Sequence, residues 1–214
     1  MTTLDEALGR CPAIAIIRAR SSDRVPAVVE TLAEAGLTAV ELTLTTPGAL
    51  DAITALAGSL PAGIALGAGT VLDAAGATDA YRAGASFLIT PAVLPAVLDQ
   101  AGDLGVPVVC GALTPTEIIA AHTGGAHLVK VFPADAMGGP AYLRAVRGPL
   151  PDIPLVPTGG VAVDRAADYL RAGARAVALG GPLIGDAADD DGDLTALARR
   201  ARELIDRLTE LIHA

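Results

Sequence analysis

Arg82-Ala-Gly-Ala85 recurs as Arg171-Ala-Gly-Ala174 at an offset of 89 residues, and the blocks upstream, Gly69-Thr-Val-Leu-Asp73 and Gly159-Gly-Val-Ala-Val-Asp164, are also alike. Around these copies the chain alternates short apolar runs, rich in β-branched residues, with Ala- and Leu-rich stretches. The runs are Ala13–Arg18, Ala39–Thr43, Ile64–Gly69, Phe87–Thr90, Val106–Cys110, His127–Val131, Pro154–Pro157 and Ala176–Gly180. Near-continuous apolar strands alternating with helices make a parallel sheet of the α/β class. An open doubly wound sheet and a closed barrel both fit such alternation. The repeat decides between them, because its offset is about four strand-and-helix units, half of eight, as a barrel of two similar halves shows. The expected architecture is a (β/α)₈ TIM barrel that takes residues 1–214 as a single domain without a linker.

Local signals agree with that frame. Thr3 and Glu6 have capping-box spacing and predict a short N-terminal helix before strand one. Thr114-Pro-Thr-Glu117 combines an N-cap, a proline at the first helical position and a capping-box glutamate. Gly36, Gly84, Gly124 and Gly173 read as helix C-terminal stops. Asp189-Asp-Asp-Gly-Asp193 lacks the ligand spacing of a calcium-binding EF-hand and reads as a solvated loop, with Asp193 as N-cap of a last amphipathic helix from Leu194 to Ile212.

Composition narrows the function. With 52% hydrophobic and 18% charged residues, the chain is too apolar to be disordered. Aromatics are 2% and tryptophan is absent, so base-stacking surfaces are lacking, and a formal charge of -9 disfavours nucleic acid and anionic membranes as partners. The start, MTTLDEALGRC, does not read as a signal peptide, and no run approaches a membrane helix. Cys11 and Cys110 have no metal-type spacing and read as reduced, buried thiols of a cytoplasmic protein. His122, His127 and His213 show no metal-site spacing either, so no metal is expected.

Of the 15 basic residues, 14 are arginine and one is lysine, Lys130, set inside the apolar run Ala126-His-Leu-Val-Lys-Val-Phe132. An amine forms an imine and is tuned by burial, whereas a guanidinium does neither. In a barrel the active site lies at the C-terminal strand ends. Those ends carry Arg18, Glu41 to Thr43, Gly69-Thr70, Thr90-Pro91, Gly111, Lys130 to Phe132, Thr158-Gly159-Gly160 and Gly180-Gly181. A desolvated lysine there attacks a carbonyl. Glu41 is the best-placed proton shuttle, and Arg18 has the donor fork that matches a substrate carboxylate. Gly159-Gly160 and Gly180-Gly181 follow strands seven and eight, where barrels bind phosphate through backbone N–H groups.

At these residues the chain resembles the 2-keto-3-deoxy-6-phosphogluconate and 4-hydroxy-2-oxoglutarate aldolases. The resemblance is carried by Ile16-Ile-Arg-Ala19, Val40-Glu-Leu-Thr43, Gly67-Ala-Gly-Thr-Val71, Ile89-Thr-Pro91, Lys130-Val-Phe-Pro-Ala134 and Pro157-Thr-Gly-Gly-Val161. It implies Lys130 as the Schiff-base lysine and Glu41 as the general acid/base, with no cofactor beyond the covalent imine. It also implies Arg18, Thr70 and Pro91 as pyruvate-side contacts, with Phe132 packed beside the imine. Gly159, Gly160, Gly180 and Gly181 are then the phosphate site, Thr158 contacts the C4 region of the sugar acid, and the assembly is a homotrimer. Two positions depart from the pattern. Thr45 stands where some members have an arginine, a swap that Arg18 compensates, and Pro182 stands where many have serine, removing a hydroxyl and an N–H from the phosphate site.

The leading expectation is cleavage of 2-keto-3-deoxy-6-phosphogluconate to pyruvate and glyceraldehyde 3-phosphate. The galactonate epimer, unphosphorylated 2-keto acids and 4-hydroxy-2-oxoglutarate remain open within the same chemistry. So do a phosphate-sugar isomerase or epimerase, which needs no imine lysine, and a non-catalytic ligand-binding barrel.

Overall fold

The computed structural model describes residues 2–212. Eight strands, β1 (Ala13–Ile17), β2 (Ala39–Thr43), β3 (Ala65–Gly69), β4 (Phe87–Ile89), β5 (Val108–Ala112), β6 (Leu128–Val131), β7 (Leu155–Pro157) and β8 (Val177–Leu179), pair in parallel in the order β7-β6-β5-β4-β3-β2-β1-β8. The ring closes between β7 and β8 through the bridge Thr158↔Ala178 and the bond from Arg175 N–H to Leu155 O, 2.8 Å. The helices are α1 (Leu4–Arg10), α2 (Val25–Glu34), α3 (Ala49–Ala57), α4 (Ala74–Ala83), α5 (Pro95–Leu104), α6 (Pro115–Thr123), α7 (Pro140–Arg147), α8 (Ala166–Arg171), the single turn α9 (Gly181–Ile184) and α10 (Leu194–Ile212). The chain is the expected (β/α)₈ barrel with a short helix before β1.

The repeat has a physical origin. In both copies the glycine is left-handed, with φ of 104° at Gly84 and 93° at Gly173. Ala85 N–H donates to Ala80 O and Ala174 N–H to Tyr169 O, each at 3.0 Å, so both copies form the same 6→1 helix stop, one at the end of α4 and one at the end of α8. Gly36 is left-handed in the same way at the end of α2. Gly124 is the expected C-cap of α6 but stays right-handed with φ -77°, and Gly125 makes the left-handed turn with φ 92°.

Alternation along the strands sorts their side chains into two cores. Val40, Leu42, Leu66, Ala68, Val129 and Val131 face the helices. Ile14, Ala39, Ala65, Phe87, Ile89, Val109, Leu128, Val156 and Ala178 fill the barrel, and Leu4, Ala7 and Leu8 of α1 plug its N-terminal end. Gly67 lacks a side chain because a Cβ there would overlap the ring of Phe87. Helix α1 has the predicted capping box between Thr3 and Glu6, and is fastened by Thr38 Oγ1 to Ala7 O at 2.7 Å and by His127 Nε2 to Asp5 Oδ1 at 2.9 Å. Asp193 caps α10, its Oδ1 accepting from Ala196 N–H at 2.9 Å. Among the described residues no helix is long and apolar enough to cross a membrane.

Strand β5 begins and ends two residues later than its apolar run suggested. Pro107 has no N–H for the ladder, although its carbonyl still accepts from Leu88 at 2.9 Å. At the far end Gly111 and Ala112 extend the strand. Neither is β-branched, and at Gly111 the small size is required, because a Cβ there would overlap the backbone of Pro91.

Candidate active site

Since one face of every strand fills the barrel, stepping two residues at a time from each inward side chain reaches the C-terminal mouth. Ile14 leads through Ile16 to Arg18, Ala39 to Glu41 and Thr43, Ala65 to Gly67 and Gly69, and Ile89 to Pro91. Likewise Val109 leads to Gly111, Leu128 to Lys130 and Phe132, Val156 to Thr158, and Ala178 to Gly180. The fold therefore brings the predicted residues from separate strands to the C-terminal mouth of the barrel.

Lys130 is 8% exposed and Glu41 is 1% exposed, so both sit essentially out of water. A glycine on the neighbouring strand makes room for Glu41. In the ladder Glu41 pairs with Gly67 and Lys130 with Gly111, and a Cβ on Gly69 would overlap Oε1 of Glu41. Burial pushes the Glu41 carboxyl above its ordinary range, against the opposing pull of Lys130 and Arg18. Burial lowers Lys130; the Glu41 charge raises it, and the Arg18 charge lowers it further. Both groups are thus moved toward neutrality by the same desolvation, while their mutual attraction limits the move. Among the described residues Glu41 Oε2 is buried with no hydrogen-bond partner, a polar atom left open for a proton or a ligand. Nζ of Lys130 lies 5.2 Å from the centroid of the Phe132 ring, and that ring is 40% exposed, forming a wall between the amine and solvent.

Arg18 is the first residue past β1 and its side chain is exposed, yet it is held. Nη1 donates to Thr45 Oγ1 at 2.9 Å and Nη2 to Thr70 Oγ1 at 3.2 Å. Thr70 adopts φ 56°, a left-handed conformation that costs a non-glycine residue about 1 to 3 kcal/mol, and it turns its hydroxyl to Arg18. Thr158 is buried, its Oγ1 donating to Val156 O at 3.2 Å, and Pro91 is half-buried beside Gly111.

The glycine pairs lie on the adjoining rim. Gly159 and Gly160 are both left-handed, φ 89° and 75°, and side chains there would press on Phe132 and Asp135 respectively. Gly180 is the N-cap of α9, with Pro182 in its first turn. Arg200 of α10 secures that turn, its Nε donating to Leu183 O at 2.6 Å and its Nη2 to Ile184 O at 2.8 Å. Among the described residues no three or more His, Cys, Asp or Glu side chains gather as metal ligands. His127 is engaged with Asp5 at the opposite end of the barrel, and His213 lies outside the described residues.

Sequence reading missed three contributors: the clearance that Gly69 and Gly111 provide, and Thr45 as a partner of Arg18 rather than a bystander. Strand parity was the available signal for the glycines, since both fall in step with the inward series.

A desolvated amine coupled to a desolvated carboxylate, at the C-terminal mouth of a (β/α)₈ barrel, equips the chain as an enzyme for carbonyl chemistry through an imine. The family model "KDPG and KHG aldolase" matches residues 4–199. The 2-dehydro-3-deoxy-phosphogluconate aldolase of Pseudomonas aeruginosa is 41% identical over 192 residues, covering 89% of this chain and 86% of the relative. A solved structure described as native KDPGal superposes with a TM-score of 0.88 at 30% identity, covering 96% of this chain and 98% of the other. The KDPG aldolase of Legionella pneumophila, with pyruvate captured as a covalent carbinolamine, gives a TM-score of 0.85 at 26% identity, covering 93% and 96%. The chain belongs to the KDPG and KHG aldolase family. It is a carbon–carbon lyase, which sets aside the isomerase and non-catalytic readings.

Proposed function

We propose that this aldolase cleaves 2-keto-3-deoxy-6-phosphogluconate to pyruvate and glyceraldehyde 3-phosphate through an imine on Lys130. The observation that carries the reading is the burial of Lys130 and Glu41 together at the barrel mouth. The neutral amine attacks the C2 carbonyl, and Glu41 protonates the hydroxyl of the carbinolamine, which leaves as water. Glu41, now a carboxylate, takes the proton of the C4 hydroxyl. The C3–C4 bond breaks, its electrons pass into the iminium as an enamine, and the aldehyde departs. Protonation of C3 and hydrolysis release pyruvate and restore the amine. A carboxyl raised by burial suits both directions of that shuttle near neutral pH.

Arg18, supported by Thr70 and Pro91, binds the substrate carboxylate, and Phe132 covers the imine. Thr158 faces the C4 region. The N–H groups at Gly159, Gly160, Gly180 and Gly181 receive the phosphate, short of the donors that Pro182 removes. Residues 1–214 act as one aldolase domain. The reading extends to a homotrimer in the cytoplasm serving the Entner-Doudoroff pathway, supported by the family resemblance, by exposed apolar side chains such as Leu50, Leu72 and Tyr81, and by the free cysteines.

The test is pyruvate release from 2-keto-3-deoxy-6-phosphogluconate, its galactonate epimer, the unphosphorylated acid and 4-hydroxy-2-oxoglutarate. The phosphorylated gluconate is expected to have the highest kcat/KM, and Pro182→Ser is expected to widen its lead over the unphosphorylated acid about tenfold, since a hydrogen bond to a charged group is worth about 1.5 to 3 kcal/mol. A higher kcat/KM for any other substrate reassigns the enzyme to that substrate. A ratio unmoved in Pro182→Ser makes position 182 a turn residue only.

A further inference from the structure

Arg18 is gripped by more than its two direct partners. Thr45 Oγ1, which accepts from Arg18 Nη1 at 2.9 Å, donates to Thr43 Oγ1 at 3.2 Å. Thr43 Oγ1 lies 3.3 Å from Thr46 Oγ1, and Thr46 Oγ1 accepts from Ala19 N–H at 3.2 Å. Thr45 uses its proton on Thr43, Thr43 and Thr46 share the next bond, in which either hydroxyl can donate, and Thr46 also accepts from the backbone of Ala19. The circuit leaves the side chain of residue 18 and returns to the main chain of residue 19. Thr43 and Thr46 are 0% and 2% exposed, so water does not compete for the inner links. Bonds in such a series polarise one another, and a buried member left unpaired is costly.

An exposed arginine has rotamer entropy to lose on being fixed. The circuit fixes it in advance, while the guanidinium keeps N–H groups beyond the two engaged by Thr45 and Thr70. We propose that Thr45, backed by Thr43 and Thr46, is a positioning element that pre-orients Arg18 for the carboxylate of the 2-keto acid and so sets the affinity of the pyruvate half of the site. The inference rests on the reading of Arg18 as the carboxylate anchor. None of the three threonines is assigned a step in bond making or breaking.

The experiment is the exchange of pyruvate methyl protons with deuterated water, followed by NMR, which needs Lys130 and Glu41 but no second substrate. Thr45→Val keeps the shape and removes the hydroxyl; its KM for pyruvate is expected to rise about tenfold with kcat within about twofold of wild type, the pattern of lost ground-state and transition-state binding alike. Thr45→Ser restores the KM to within about threefold of wild type because the hydroxyl returns. Thr43→Val leaves the direct bond to Arg18 intact and is expected to raise the KM about threefold. Arg18→Met is the control for the underlying reading and is expected to raise the KM more than any threonine variant. If Arg18→Met raises the KM and Thr45→Val does not, the positioning role is overturned while the anchor stands. If Arg18→Met leaves the KM unchanged, both are overturned. A fall in kcat with the KM unchanged in Thr45→Val, or no recovery in Thr45→Ser, also overturns the proposal.

Discussion

At the scale of single residues, the site is governed by desolvation acting with opposite sign on Glu41 and Lys130. The signs give a prediction independent of substrate binding. Reductive methylation by formaldehyde with cyanoborohydride as the hydride donor reports the neutral fraction of Lys130, and its rate is expected to rise with pH around a midpoint below the ordinary lysine value of 10.5. Glu41→Gln removes the anion that favours the ammonium and lowers the midpoint further; Arg18→Met removes a cation that disfavours it and raises the midpoint. Shifts in the reverse directions would mean that charge coupling does not control the amine. Clearance matters as much as charge. Gly69→Ala inserts a methyl where Oε1 of Glu41 stands, so we expect turnover to fall about 100-fold, the scale of lost general acid–base assistance, with thermal stability little changed. Wild-type turnover in Gly69→Ala would show that the carboxylate needs no fixed position.

At the scale of elements, α1 is a plug rather than an ornament. Leu4 and Leu8 are 1% exposed and complete the inner core, so Leu8→Ala is expected to destabilise the fold by about 2 to 5 kcal/mol, measured by urea unfolding. A loss below about 0.5 kcal/mol would show that the end of the barrel closes without the helix. The existence of α1 was legible in Thr3 and Glu6, because a capping box is a local device. Its docking was not, because Thr38 and His127 lie far along the chain and carry no local signal for it. The same divide explains β5. A run of β-branched residues marks where a strand is stable by itself, whereas Gly111 and Ala112 are strand because they pair with Lys130 and Val131 of β6. Gly124 and Gly125 show the limit of a glycine rule when two stand together, since only the chain's exit path decides which turns left-handed.

At the scale of the whole molecule, eight apolar runs and one internal repeat were enough to read the barrel, because parallel strands buried on both faces write their pattern openly. Much of the candidate site was legible for the same reason: strand ends meet at one mouth, and a lone lysine among fourteen arginines is conspicuous. What stayed hidden was the support around it. The threonine circuit behind Arg18 and the hold of Arg200 on α9 are side-chain contacts between neighbouring elements that leave no periodic or capping signal in the chain. Burial at the barrel mouth moves the Lys130 amine toward its neutral, nucleophilic form. Borohydride reduction in the presence of pyruvate, read by intact mass and peptide mapping, tests it most directly. One reduced pyruvate adduct per chain, on Lys130, is expected, with no adduct or turnover in Lys130→Arg. An adduct elsewhere, or a Lys130→Arg enzyme that still cleaves substrate, would contradict it.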